Sequence, residues 1–210
     1  MIRIYGYPMT RGTRATWALE EAGAEYEYEP VNLKQGEGRR SPYVDLNPAG
    51  KVPTLVDDGL VLTESMAVCT WIGDRFPDAG LVPEPRTSER AQYNKWCSFV
   101  VTELEQPLWT MAKHTFALPE RYRVPAVIET AKWEFGVAAR VLAAGLGEND
   151  YLLGTDFSMA DLLASHTLAW ARGAGLEAES EALKAYAERC LSRPALARAR
   201  ERENAAVDKA

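Results

Sequence analysis

The chain has 210 residues, 47% of them hydrophobic, 26% charged and 10% aromatic, which excludes a disordered, collagen-like or low-complexity chain. Its formal charge of −6 excludes a broad nucleic-acid or anionic-membrane footprint, so an anionic ligand must find a local basic pocket. Three well-separated cysteines, Cys69, Cys97 and Cys190, and two histidines show no metal-ligand spacing, so neither a disulfide scaffold nor a metal site is expected. Met1 leads straight into a strand pattern and no apolar run approaches ~18 residues, which points to a reduced, cytoplasmic chain without a membrane segment.

The elements follow in order. Ile2 to Tyr5 reads as a strand broken by Gly6 and Pro8. Thr13 to Ala22 then reads as a helix with Ala15, Ala18, Leu19 and Ala22 on one stripe, stopped by Gly23. A strand over Tyr26 to Val31 and a short helical piece within Gln35 to Leu46 precede two strands, Val52 to Val56 and Leu60 to Thr63, joined at Asp57-Asp58-Gly59. A helix over Ser65 to Phe76 completes an α/β domain of order βαβ(α)ββα, residues 1–78. Three prolines and a glycine in Pro77 to Pro85 mark a boundary, with 79–86 as linker and 87–210 as an all-α domain. Helical patterns cover Thr87 to Ala117, Arg121 to Leu146, Ser158 to Arg172 and Leu183 to Leu191. The tail from Ala197 reads as a polar helix end or a frayed one.

Three short motifs carry chemistry. Asn47-Pro48-Ala49-Gly50-Lys51-Val52-Pro53 sets a proline at the mouth of a strand that should be internal. A cis Val52-Pro53 bond would turn the Val52 N–H and C=O outward to pair with an extended peptide, while the alternative is a turn and an edge strand. Glu64-Ser65 opens a helix, with Ser65 as N-cap and its neighbouring N–H groups either an anion site or a plain cap. Phe157-Ser158-Met159-Ala160-Asp161 is a capping box in acidic form.

In this order and spacing, NPAGKVPTLVDDGLVLTESMAV, FSMAD and TRATWALEEAG resemble the cytosolic glutathione S-transferases along nearly the whole chain, and TELEQPLWTMAKHTF is similar to a bacterial subgroup. The resemblance implies a thioredoxin-like domain that binds glutathione as co-substrate, with no other cofactor, followed by an α-helical domain supplying most of the site for a small apolar electrophile. It also implies a homodimer and a detoxification role. By position, Val52 beside Pro53 would clamp the cysteinyl backbone, Glu64 and Ser65 the γ-glutamyl end, and Lys51 with Arg39 or Arg40 the glycyl carboxylate. Arg39 and Arg40 read equally as a solvated loop.

The reaction needs a thiolate, and an unperturbed thiol of pKa ~8.5 is only about 3% ionised at pH 7. Thr10 matches the position of the activating serine in serine-type members, whereas Tyr7 matches the tyrosine-type pattern. No cysteine lies between residues 5 and 14 to form a mixed disulfide. Arg11 and Arg14 add positive potential there or serve as surface charge or an ion pair. Met9 is expected beside the second substrate, with Trp109, Ala112 and Phe116 on a helical stripe facing it or else in the core. Pro107 should kink that helix, and His114 reads as a packing residue. Glutathione-dependent peroxidase or disulfide reductase activity, or a non-catalytic interaction protein on the same scaffold, are the competing readings.

Overall fold

The computed structural model describes residues 1–178 and 180–209, and they divide into two compact units. One comprises Met1–Val82 with the chain from Ser192 onward, the other Pro83–Leu191. The boundary falls inside the proline-rich segment.

In the first unit four strands, β1 (Ile2–Gly6), β2 (Tyr26–Pro30), β3 (Thr54–Asp57) and β4 (Leu60–Thr63), form one sheet in the order β2-β1-β3-β4. β1 and β2 are parallel, joined through helix α1 (Gly12–Glu21), and the β1–β3 and β3–β4 pairs are antiparallel. The β3–β4 hairpin turns on Asp58-Gly59, both with positive φ (46° and 88°), as a two-residue turn matched to strand twist requires. Gly23, at φ 63°, follows the end of α1. A four-residue helix, α2 (Tyr43–Leu46), and helix α3 (Ser65–Arg75) complete the α/β part. Ile4, Trp17, Leu19, Leu55, Val68 and Ile72 are wholly buried and form its centre. This is the thioredoxin-like arrangement.

The second unit is all helical: α4 (Ser88–Phe99), α5 (Glu105–Ala112), α6 (Val127–Leu146), α7 (Met159–Gly173) and α8 (Glu181–Leu191). α7 is buried on nearly every side from Met159 to Leu168, as a central helix must be. Its capping box is formed, with Ser158 N–H donating to Asp161 Oδ2 at 2.9 Å. Gly145 is required by packing, because a Cβ there would stand 2.0 Å from the Trp96 ring.

Two sequence readings give way here. Pro107 has no N–H to offer the carbonyl four residues back, and a π-turn over Val100–Leu104 stands directly before α5. A second π-turn over Lys113–Ala117 follows α5, and the stripe residues are unequally covered: Trp109 is half-buried, Ala112 is buried and Phe116 is 69% exposed. The tail is no frayed end either. Helix α9 (Pro194–Val207) buries Ala195, Leu196, Ala199 and Glu203 and packs on α1 and β2, which groups it with the first unit rather than with the rest of 87–210.

Candidate active site

The sheet register gathers the sequence motifs at one edge. Tyr5 on β1 lies opposite Thr54 on β3, and Thr54 opposite Thr63 on β4. Because both pairings are antiparallel, the end of β1, the start of β3 and the end of β4 meet. The loop Tyr7 to Arg11, the dipeptide Val52-Pro53 and the pair Glu64-Ser65 each continue from that edge.

In the first of these, Met9 takes a positive φ of 60° and is 93% exposed, and α1 begins three residues later. Thr10 Oγ1 accepts the Gly12 N–H at 3.0 Å and donates to the Tyr7 carbonyl at 2.6 Å. Its carbonyl takes the Thr13 N–H at 3.2 Å. Thr10 therefore terminates α1 in the manner of a cap, while Tyr7 meets Thr10 through its carbonyl. Both residues are half-buried.

The Val52-Pro53 bond is cis and β3 begins at Thr54, not at Val52. Val52 is buried, with no backbone hydrogen bond among the described residues. The chain on both sides of it is fixed by Asn47, from the motif itself, and by Tyr43, which no motif singled out. Lys51 C=O accepts from Asn47 Nδ2 at 2.8 Å and from the Tyr43 hydroxyl. That hydroxyl also meets Thr54 Oγ1 at 2.8 Å, and Asn47 Nδ2 reaches the same oxygen at 3.1 Å. Tyr43 packs with Val31, Val52 and Tyr5, and its burial pushes the phenol pKa up. Asn47 is visible in sequence as the start of a turn, but Tyr43 leaves no local signal.

At the start of α3 the N-cap is Glu64, not Ser65, which is the first helical residue. Glu64 is exposed and holds φ 64° and ψ 111°, a conformation a non-glycine residue keeps only when its surroundings impose it. Ser65 is buried, and its Oγ accepts from Arg14 Nη1 at 3.1 Å. Arg14 is itself wholly buried, so it is not a surface charge: it ties the first turn of α1 to the first residue of α3. The Ser65 side chain is thus turned to Arg14, leaving the first backbone N–H groups of α3 as the polar feature of this end.

Lys51, Arg39 and Arg40 are exposed. The loop around Gly38 touches the loop around Gly50 so closely that a Cβ on Gly50 would lie 2.7 Å from the Gly38 oxygen. The Cδ of Arg39 would lie 3.0 Å from that same Cβ, whereas the Arg40 guanidinium lies toward Gly36. Arg39 is the arginine beside Gly50, the residue before Lys51. In the second unit His114 Nδ1 accepts the Val124 N–H at 3.0 Å, which ties down the segment leading to α6.

All three cysteines are buried and none forms a disulfide, and burial pushes the Cys97 and Cys190 thiols up to about 12. Among the described residues no His, Cys, Asp and Glu cluster could hold a metal ion, and no helix is long and apolar enough to cross a membrane.

Comparison with known proteins gives this geometry its family. The family model for the glutathione S-transferase N-terminal domain matches residues 1–74, and that for the C-terminal domain matches residues 106–194. Glutathione S-transferase U22 of Arabidopsis thaliana is 30% identical over 198 residues, covering 89% of this chain and 84% of the relative. Glutathione S-transferase GST-4.5 of Xanthomonas campestris is 32% identical over 155 residues, covering 73% and 76%. Among solved structures, glutathione transferase URE2P6 of Phanerochaete chrysosporium, in complex with oxidized glutathione, superposes with a TM-score of 0.82 at 25% identity over 98% of this chain and 97% of that one. With its two halves matched in order and its relatives aligned over most of their length, the chain belongs to the glutathione S-transferase family.

Proposed function

We propose that the sheet edge is a glutathione site and that the Thr10 hydroxyl, at the start of α1, activates the glutathione thiol for attack on a small apolar electrophile. The observation that carries this reading is the Thr10 hydroxyl itself, which holds one backbone N–H and donates its own proton to a neutral carbonyl. To serve the sulfur, that proton leaves the Tyr7 carbonyl for the thiolate. A neutral hydrogen bond of about 1 kcal/mol is exchanged for one to an anion of about 1.5–3 kcal/mol, and the helix N-terminus adds about 0.3–1. The balance, roughly 1–3 kcal/mol, lowers the thiol pKa by about one to two units.

The remaining residues divide glutathione between them. Val52 pairs its N–H and C=O with the cysteinyl backbone, supported by their lack of a partner among the described residues. Glu64 and the first N–H groups of α3 take the γ-glutamyl end. Lys51 and Arg39 face the glycyl carboxylate, and Arg40, directed toward Gly36, is the lesser candidate. The thiol proton leaves to solvent, and the thiolate forms a carbon–sulfur bond as the electrophile expels its leaving group or takes up a proton. In the first unit Met9 offers exposed apolar surface next to Thr10 to such a substrate; in the second unit Phe116 is exposed, Trp109 half-buried and Ala112 covered. The cysteines are all buried, Cys97 and Cys190 with raised thiols, which makes glutathione the sulfur source for conjugation as well as for any peroxidase or disulfide reductase reaction.

Assignment to the serine/threonine-type bacterial subgroup follows if Thr10 is the activating hydroxyl. A homodimer in the cytoplasm is the state that family membership suggests. Glutathione titrated against wild type, Thr10→Val and Tyr7→Phe tests the reading. Loss of thiolate in Thr10→Val with retained binding supports it, and loss confined to Tyr7→Phe refutes the choice of Thr10.

A further inference from the structure

Helix α9 meets α1 with opposite charges at its two ends. Toward the C-terminus of α1, Arg193 makes a two-bond pair with Glu21 (2.6 and 2.8 Å), and Arg198 Nε donates to Glu20 at 2.9 Å. Arg202 donates to the Tyr26 carbonyl at 3.0 Å and lies over the Tyr26 ring. At the first turn of α1 the partner from α9 is instead a carboxylate. Thr13 Oγ1 donates to Glu203 Oε2 at 2.9 Å, and Thr16 Oγ1 donates to Oε1. Glu203 is 1% exposed and both threonines are buried. Cations at the C-terminal end of α1 and an anion at its N-terminal end match the helix dipole.

The contact is continuous with the loop that bears Thr10. Thr13, whose hydroxyl holds Glu203, gives its N–H to the Thr10 carbonyl, and Thr10 Oγ1 in turn joins Gly12 N–H to Tyr7 C=O. The same cluster reaches the loop from beneath. A Cβ on Gly6, the residue before Tyr7, would stand 2.9 Å from the Tyr28 ring, and the Tyr28 hydroxyl is buried with no hydrogen-bond partner among the described residues. The groups whose charges act on Glu203 or are acted on by it are Arg200 on its own helix and Tyr26 and Tyr28 on β2.

We infer that Glu203 is a positioning residue for thiol activation: by holding Thr13 and Thr16 it fixes the first turn of α1, and with it the Tyr7 to Gly12 loop that presents the activating hydroxyl. This rests on the glutathione-transferase reading above. It does not depend on whether Thr10 or Tyr7 is the donor, since both belong to the loop that is held.

The test compares wild type, Glu203→Gln, Glu203→Ala and Thr13→Val by the thiolate absorbance of bound glutathione against pH, with KM for glutathione, kcat and the thermal midpoint read alongside. Gln and Ala both remove the charge, so their difference reports hydrogen bonding together with side-chain packing, which Thr13→Val separates, and Gln keeps an acceptor for one threonine and a donor for the other. The expected result is about three- to tenfold less thiolate in Glu203→Ala than in Glu203→Gln below the thiol pKa, the scale of one or two lost hydrogen bonds. Thr13→Val, which keeps the charge and the Thr16 bond, should lose thiolate by about threefold relative to wild type. KM for glutathione should change by less than about twofold in each case, because the Val52 and Glu64 contacts are untouched. Equal thiolate in all folded variants, with only the thermal midpoint lowered, would overturn the proposal. If Glu203→Ala does not fold, Thr13→Val decides alone, and an unshifted thiol in it is the refuting result. Wild type is read first, and failure of wild type to bind glutathione would overturn the transferase reading and this proposal with it, an outcome distinct from normal wild-type binding with unshifted variants.

Discussion

Two buried carboxylates, one in each unit, hold helices together in different ways. Asp161 collects four donors: Leu152 N–H at 2.8 Å, Ser158 N–H at 2.9 Å, Ser158 Oγ at 2.7 Å and the Tyr186 hydroxyl at 2.9 Å. Glu203 collects two threonine hydroxyls from a helix near the other end of the chain. Burial pushes both carboxyls up against their hydrogen bonds, and it leaves Glu203 at about 7. The difference is one of completeness. A carboxylate whose lone pairs are nearly all used, three times over by its own chain neighbours, is a fixed anchor. One satisfied by two hydroxyls has fewer hydrogen bonds to set against the burial that pushes it up to about 7.

That comparison is broken most severely at Asp161. Asp161→Ala strands three or more buried donors, and a loss of about 3–5 kcal/mol in urea unfolding is expected. A loss below about 1 kcal/mol would mean that the network is not what holds α7.

At Glu203 the sign runs the other way from an ordinary stabilising carboxylate. The folded pKa of about 7 lies above the ordinary value of 4.5, so between these values the folded chain binds more proton than the unfolded one. Stability must therefore fall as pH rises from 4.5 to 7, by an amount on the order of 3 kcal/mol for this group alone. Unfolding midpoints measured at pH 5 and pH 8 should converge in Glu203→Gln relative to wild type. The same pH dependence in both would show that the carboxyl is not the titrating group.

A smaller effect sharpens the picture at the glycyl end. Arg39→Ala should raise KM for glutathione about fivefold, the upper scale of one solvent-exposed ion pair, while Arg40→Ala changes it by less than about twofold. The reverse order would exchange their roles.

What could be read in the sequence follows the same division between local and distant partners. The Asp58-Gly59 hairpin, the stop at Gly23 and the Ser158-Asp161 box are each specified by residues within a few positions of one another, and each is present. The cis Val52-Pro53 bond was legible as a possibility because a proline at a strand mouth needs a reason. The cap at α3 was misplaced by one residue, since a buried arginine fifty-one positions upstream takes the Ser65 hydroxyl. The unequal covering of the stripe through Phe116 is not legible in the sequence, because a π-turn stands where an α-helical period is assumed. α9 is the element least legible in the sequence: a polar helix end is one of its two readings, and the structure gives a helix with a buried face. Its buried stripe is two alanines, one leucine and a glutamate, which reads as a polar tail until Thr13 and Thr16 are brought to it.

The central claim is that a hydroxyl at the start of α1 holds the glutathione thiolate, and it is tested most directly by the ultraviolet pH titration of bound glutathione in wild type and Thr10→Val. Wild type should show a thiol pKa about one to two units below the free value, and Thr10→Val should return it to within about half a unit of that value with little change in affinity. A bound thiol whose pKa is low in wild type and equally low in Thr10→Val would contradict the account.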